Sequence, residues 1–150
     1  MQTLVGRGYL YQCTDEAGLD KLAQTDGLVG YIGFDCTAPS LHVGSLVQIM
    51  MLRHLQQSGG TPIVLLGGGT TKIGDPSGKD KSRQMLTQEQ IDANKDGIRQ
   101  VFAKFLSFEG PNAAIMVDND DWLAKLGYLE FLRLAGTEFT INRMVTMETV

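Results

Sequence analysis

Thr37 and His42 flank a Pro39-Ser40 turn, and Gly44 and Ser45 follow at the mouth of a predicted helix. A hydroxyl, an imidazole and the free N–H groups of a helix start are the donors that receive phosphate oxygens. Aimed at charge that grows in a transition state, each such donor is worth about 3 kcal/mol. Gly44 removes a side chain where a ring could lie. A histidine at this place also serves as a plain polar cap, so His42-Val-Gly-Ser45 alone leaves two readings open. A second cluster is Gly67-Gly-Gly-Thr-Thr-Lys-Ile-Gly-Asp-Pro-Ser-Gly78-Lys79. Its composition is that of a phosphate loop, but its spacing is not that of a Walker motif. Asp75, held between Gly74 and Pro76, is a fixed carboxylate that could bind an ammonium group. Lys79-Asp-Lys-Ser-Arg83 is either a solvated charge run or a basic flap over phosphates.

These residues need a scaffold that gathers separate loops. Thr14 or Asp15 caps a short helix carrying Leu19, Leu22 and Ala23, and Gly27 follows its end. Leu28 to Phe34 is mostly apolar and reads as a strand buried on both faces, with Tyr31 a structural tyrosine inside it. The spacing of Leu46, Ile49, Met50, Leu52 and Leu55 predicts a helix from about His42 to Gln57, stopped by Gly59 and Gly60. Pro62 to Leu66 is a second buried strand that runs into a loop from Gly67 to Gly78. Thr87 and Gln90 have the spacing of a capping box, ahead of a helix that buries Ile91, Ile98, Val101, Phe102 and Phe105. Ala114 to Val117 is a third strand, ending at Asp118-Asn-Asp-Asp121. Trp122 to Leu134 reads as a helix interrupted near Gly127, with Trp122 in the core. From Phe139 to Val150 the pattern is ambiguous.

Alternation of strands and helices predicts an α/β fold, a doubly wound parallel sheet with right-handed crossovers and helices on both faces. Ligands in such folds bind beyond the carboxyl ends of the strands. All three polar clusters, Asp35–Ser45, Gly67–Lys81 and Asp118–Asp121, fall just after a strand, so one face of the sheet should collect them.

The bulk composition sets limits. The 150 residues suffice for one domain with a real core, and 43% hydrophobic with 20% charged residues is globular. A net charge of −4 gives no overall basic footprint for nucleic acid. Cys13 and Cys36 fit neither a disulfide framework nor a zinc site, and no metal cluster is expected. No apolar run reaches the ~20 residues of a membrane helix, and residues 1–10 lack a secretory signature, so a cytoplasmic protein is expected.

Taken jointly, Tyr31-x-Gly-Phe-Asp-x-Thr37, Ser40-Leu-His-Val-Gly-Ser45 and Gly74-Asp-Pro-Ser-Gly-Lys79 resemble the amino-terminal half of the catalytic domain of bacterial tyrosyl-tRNA synthetases. These are class I aminoacyl-tRNA synthetases with a Rossmann-like catalytic domain. The resemblance runs along residues 1–150 and includes Phe139-Thr-Ile-Asn-Arg-Met144. It implies activation of L-tyrosine with ATP and magnesium to tyrosyl-adenylate, then transfer to tRNA(Tyr), in a homodimeric enzyme. It implies that Tyr31 meets the substrate phenol and Asp75 its ammonium, while Gly33 and Asp35 hold the adenylate. Thr37 and His42 match the pair that stabilises the β- and γ-phosphates, Gly44 the glycine beneath adenine, and Lys79 and Arg83 the mobile basic loop. Asn119 and Trp122 fall in the third strand-end segment, with Asn119 on the substrate side. Leu126 to Phe139 falls where these enzymes meet their two-fold partner.

Two positions depart from the family pattern. Ser45 replaces a second histidine, and Ile32 stands where many relatives have a cysteine near the ribose. Because the chain stops at Val150, before the rest of the pocket, the Lys-Met-Ser-Lys-Ser-type loop and the tRNA-binding domains, the expectation is an amino-terminal fragment carrying half of a site. Its isolated activity should be weak or absent. The competing readings are a small nucleotidyltransferase with a His-x-Gly-His signature, a tryptophanyl-tRNA synthetase, and a non-catalytic dimerising module.

Overall fold

The computed structural model describes residues 2–25, 27–74 and 85–146. Two short helices, α1 (Gln2–Gly6) and α2 (Glu16–Ala23), lead into strand β1 (Val29–Asp35). The sequence then alternates: α3 (Val43–Gln57), β2 (Thr61–Gly67), α4 (Gly68–Ile73), α5 (Gln88–Phe102) and β3 (Ile115–Asp118). Three short helices follow, α6 (Asp120–Leu123), α7 (Tyr128–Leu134) and α8 (Ile141–Met144). Asp15 caps α2 by accepting the Gly18 N–H. Thr87 and Gln90 form the reciprocal capping box that starts α5. No helix among the described residues is long and apolar enough to cross a membrane.

The three strands are parallel in the order β1-β2-β3. Their register aligns Phe34 with Leu66 and Leu66 with Asp118, and sets Asp35 opposite Gly67. The carboxyl ends of all three strands therefore lie side by side. Phe34, Val64 and Leu66 share one core with Ile49 and Leu52 of α3 and with Ile91, Ile98 and Phe102 of α5. The rings of Phe34 and Phe102 meet edge to face at 4.8 Å. Asp118 stands on that same helix-covered side of the sheet, which is why its environment is not that of a surface carboxylate.

Burial on β1 alternates, with Val29, Tyr31, Gly33 and Asp35 exposed and Phe34 buried. The expectation of a strand buried on both faces is thus corrected. Among the described residues β1 is an outer strand, and its second face, with Tyr31 70% exposed, is open. Trp122 is corrected too: it is 46% exposed, and Leu123 is the residue of α6 that packs inward against Gly69.

Candidate active site

The described parts of the three polar clusters, residues 35–45, 67–74 and 118–121, lie at the carboxyl ends of the strands. β1 ends at Asp35, and the next residues turn back through Thr37 and Pro39 to His42, which caps α3. The His42 Nδ1 accepts the Gly44 N–H at 3.0 Å. An accepting Nδ1 puts the ring proton on Nε2, so the imidazole offers one outward donor in a fixed tautomer. The cap and the phosphate donor are therefore compatible roles of one ring, using different nitrogens. Gly44 serves that ring as well: a Cβ there would sit 2.7 Å from the His42 Cε1. The ring for which this glycine makes space is His42 itself. Thr37, His42 and Gly44 are exposed, whereas Ser45 is buried in the first turn of α3 and is the least accessible residue of the mouth.

The segment expected to be a glycine-rich loop begins as helix α4. Nothing local caps it. The Gly68 N–H donates to Asp118 Oδ1 at 3.0 Å and the Gly69 N–H to Asn119 Oδ1 at 2.8 Å, both from 50 residues away. Two orphan donors of the first turn are satisfied by side chains at the end of β3. This explains the clustered glycines, because a Cβ on Gly68 would collide with the Asp118 carboxylate and one on Gly69 would press on Asn119. Gly68→Ala is expected to destabilise the protein by about 2–3 kcal/mol. Gly33→Ala, whose Cβ meets only Leu65 at 3.9 Å, should change it little. Equal urea midpoints for the two variants would contradict this account. At its far end α4 stops at Gly74, whose φ of 75° is a left-handed conformation suited to glycine. Asp75, Lys79 and Arg83 lie outside the described residues.

Asn119 has both ends of its amide committed, accepting from Gly69 and donating to Thr70 Oγ1 at 3.2 Å. It is buried, so its visible work is to join β3 to α4. Lys72 and Asp120 make a second tie between α4 and α6 at 2.6 Å.

Sequence reasoning passed over the residues beneath the site. Lys95 Nζ reaches Asp118 Oδ2 at 2.9 Å and Asp92 Oδ1 at 2.6 Å, with the Lys95 and Asp118 side chains only 10% and 12% exposed. Burial pushes the Asp118 carboxyl up, but the Asp120 N–H, the Lys95 ammonium and the Gly68 N–H together hold it below the usual carboxylate range. Burial likewise pulls Lys95 down, and its bonds to Asp92 and Asp118 with their charges more than reverse that. The Cys36 thiol is pushed up to about 11, first by burial and then by the Asp118 charge, so it is an inert thiol. Asn94 and Thr71 hold the Cys36 backbone from two sides. A long helix with Lys and Asn at its centre gave no local sign of these roles. The one usable signal was Lys95 and Asn94 lying beside the apolar Ile91–Ile98 stripe.

Known proteins resemble this chain along its length. A family model described as tRNA synthetases class I (W and Y) matches residues 24–150. The chain belongs to that family. It is 64% identical, over 98% of its length, to a tyrosine–tRNA ligase of Beijerinckia indica, and 61% identical, over all of it, to one from Methylocella silvestris. It covers 35% and 36% of those two proteins, so it spans about a third of the curated relatives it matches. A C-terminally truncated mitochondrial tyrosyl-tRNA synthetase of Coccidioides posadasii shares its fold, with a TM-score of 0.74 and 27% identity. That match covers 98% of this chain and 42% of the other. The class I synthetase fold is Rossmann-like, as the sequence pattern predicts, and the described residues supply the helical layer on one face of its sheet. Membership in this family sets aside the small nucleotidyltransferase reading.

Proposed function

We propose that the longer protein containing this chain is a tyrosine–tRNA ligase, which activates L-tyrosine with magnesium-bound ATP and passes it to tRNA(Tyr). The observation that carries this is the strand–turn–helix from Tyr31 to Gly44. Tyr31 lies on the open face of β1, and the phosphate donors Thr37 and His42 lie beyond its carboxyl end. Four residues of strand set Tyr31 and Asp35 roughly 13 Å apart. That separation suits a substrate with a side chain at one end and phosphates at the other. The 64% identical relative is itself a tyrosine–tRNA ligase, which supports tyrosine over tryptophan.

In this reading Tyr31 meets the phenol, Asp75 the ammonium, and Gly33, Asp35 and Gly44 line the adenylate. The tyrosine carboxylate is already a nucleophile. It forms the bond to the α-phosphorus as the bond to the β-phosphate oxygen breaks, and pyrophosphate leaves with the electron pair. His42 Nε2–H and the Thr37 hydroxyl stabilise the charge that accumulates on the departing phosphates, and Lys79 and Arg83 add cations there. Positioning and electrostatics supply the rate, without a general base from the protein. Magnesium arrives on the ATP phosphates as part of the substrate.

The exposed apolar residues Tyr128, Leu129, Phe131, Leu134, Phe139 and Ile141 support self-association of the full-length protein as a two-fold dimer. The absence of a membrane-length helix among the described residues fits a cytoplasmic site of action. The deciding experiment is amino-acid-dependent ATP–pyrophosphate exchange by the full-length protein. Tyrosine is expected to support exchange and tryptophan not to; the reverse preference would overturn the assignment.

A further inference from the structure

The turn that carries Thr37 and His42 has few anchors of its own. Thr37, Ala38, Pro39 and Ser40 are all exposed, and the segment lies between the end of β1 and the start of α3. One acceptor and one donor fix its first residue, Cys36. The Cys36 N–H donates to Thr71 Oγ1 at 2.9 Å, and the Cys36 carbonyl accepts from Asn94 Nδ2 at 2.8 Å. Both side chains are more than nine-tenths buried. One turn further along α5, Gly97 lets the helix backbone come directly under Pro39, since any Cβ at that position would collide with the Pro39 carbonyl. Asn94 and Gly97 thus lie on the face of α5 that meets this segment, and they hold it at Cys36 and at Pro39. Thr37 sits between those two points, and His42 follows three residues after the second.

We propose that Asn94 is a positioning residue for phosphate-site chemistry, setting Thr37 and His42 through its hydrogen bond to the Cys36 carbonyl. This rests on the functional reading above. Asn94 touches no substrate. Its amide fixes where the chain leaves β1, and small displacements of oriented donors are costly: about 1 Å of misplacement can lose on the order of 100-fold in rate. Tyr31 sits upstream within the hydrogen-bonded strand and takes its position from β2, with which it is in register at Ile63. The tyrosine end of the site should therefore be indifferent to Asn94.

The test uses the full-length protein with Asn94→Ala and Asn94→Asp, the second keeping the shape but losing the donor. Rates of ATP–pyrophosphate exchange are normalised to active sites counted by stoichiometric adenylate formation. Both variants are expected to lower kcat per active site by about 10- to 100-fold while the KM for tyrosine stays within about twofold. In a background carrying both Thr37→Ala and His42→Ala the same substitutions should cost less than about threefold, because the groups they position are already gone. Amide hydrogen exchange between Thr37 and His42 should quicken in both variants. An equal loss with and without Thr37 and His42 overturns the proposal, as does unchanged kcat per active site with only a lower active-site count. Should the wild-type protein show no tyrosine-dependent exchange, the functional reading fails separately. Amide exchange then decides: quickening in the 37–42 segment supports the positioning role, and unchanged protection there overturns it.

Discussion

Replacing His42 by alanine in the full-length protein is expected to slow tyrosine-dependent ATP–pyrophosphate exchange by about 100- to 1,000-fold. The KM for tyrosine should move by less than about threefold, because His42 stands at the start of α3, beyond the carboxyl end of β1, and not on the open face of the strand that carries Tyr31. Alanine removes two things at once. It removes the Nε2–H donor, and it removes the Nδ1 that accepts from Gly44 and caps α3. The lost cap should cost about 1 kcal/mol of stability. His42→Asn separates the two roles. Asparagine is among the best N-caps, so its carbonyl can accept from the Gly44 N–H and restore the urea midpoint. Its short amide does not reach where an imidazole Nε2 reaches. The expected result is recovered stability with most of the rate still missing. A variant that regains both would show that His42 acts only as a cap, and a parallel loss of tyrosine affinity would contradict the division of the site.

How much of this was legible in the sequence depends on how far apart the partners lie. The His42 cap and the Thr87–Gln90 capping box involve residues two or three apart, and their spacing announces them. The strands and the convergence of three loops follow from alternation and connection rules. The glycine-rich segment reads as loop because its helix is capped by Asp118 and Asn119, and propensity scales price glycine as though every helix capped itself locally. Trp122 was assigned to the core on its hydrophobicity, but α6 is a single turn whose facing is set by Asn119 and Asp120, and those turn Leu123 inward. Tyr31 was assigned two covered faces because apolar runs usually have them. Among the described residues one face of β1 stands exposed. Asn94 and Lys95 were missed for the same reason as α4: their partners, Cys36 and Asp118, lie 58 and 23 residues away. Local structure such as the His42 cap is legible in the sequence, and the long-range support beneath it is not.

Lys95 and Asp118 should give the largest stability effect in the chain. Lys95→Met is expected to destabilise the full-length protein by about 3–5 kcal/mol at pH 7, because it leaves the buried Asp118 carboxylate without its cation, and Asp118→Asn by less, because Lys95 keeps Asp92. In Asp118→Asn the Oδ1 can still receive Gly68 and Asp120, and the damage falls on Lys95, which then meets an amide N–H₂ group. In Lys95→Met the carboxylate keeps its two N–H donors and loses its cation. The double variant should cost clearly less than the sum, since removing both charges removes the unpaired one. The pH dependence has a defined sign. The folded state holds Asp118 below the ordinary carboxylate value of about 4, so its contribution is complete above that pH. It is lost as pH falls through the lower folded value. Lys95 is held above the ordinary lysine value of about 10.4, so its contribution is complete below that pH and is lost only as pH rises through the higher folded value. The gap in urea midpoint between wild type and Asp118→Asn should therefore be constant from about pH 5 to 9 and narrow below about pH 4. A gap that stays constant down to pH 2 would mean that Asp118 contributes through packing alone. Because Lys95 fixes the side chain that receives the Gly68 N–H, the same variants should loosen the start of α4 even though that hydrogen bond can still form. Rate and stability should then fall together at Lys95 and Asp118, in contrast to His42→Asn.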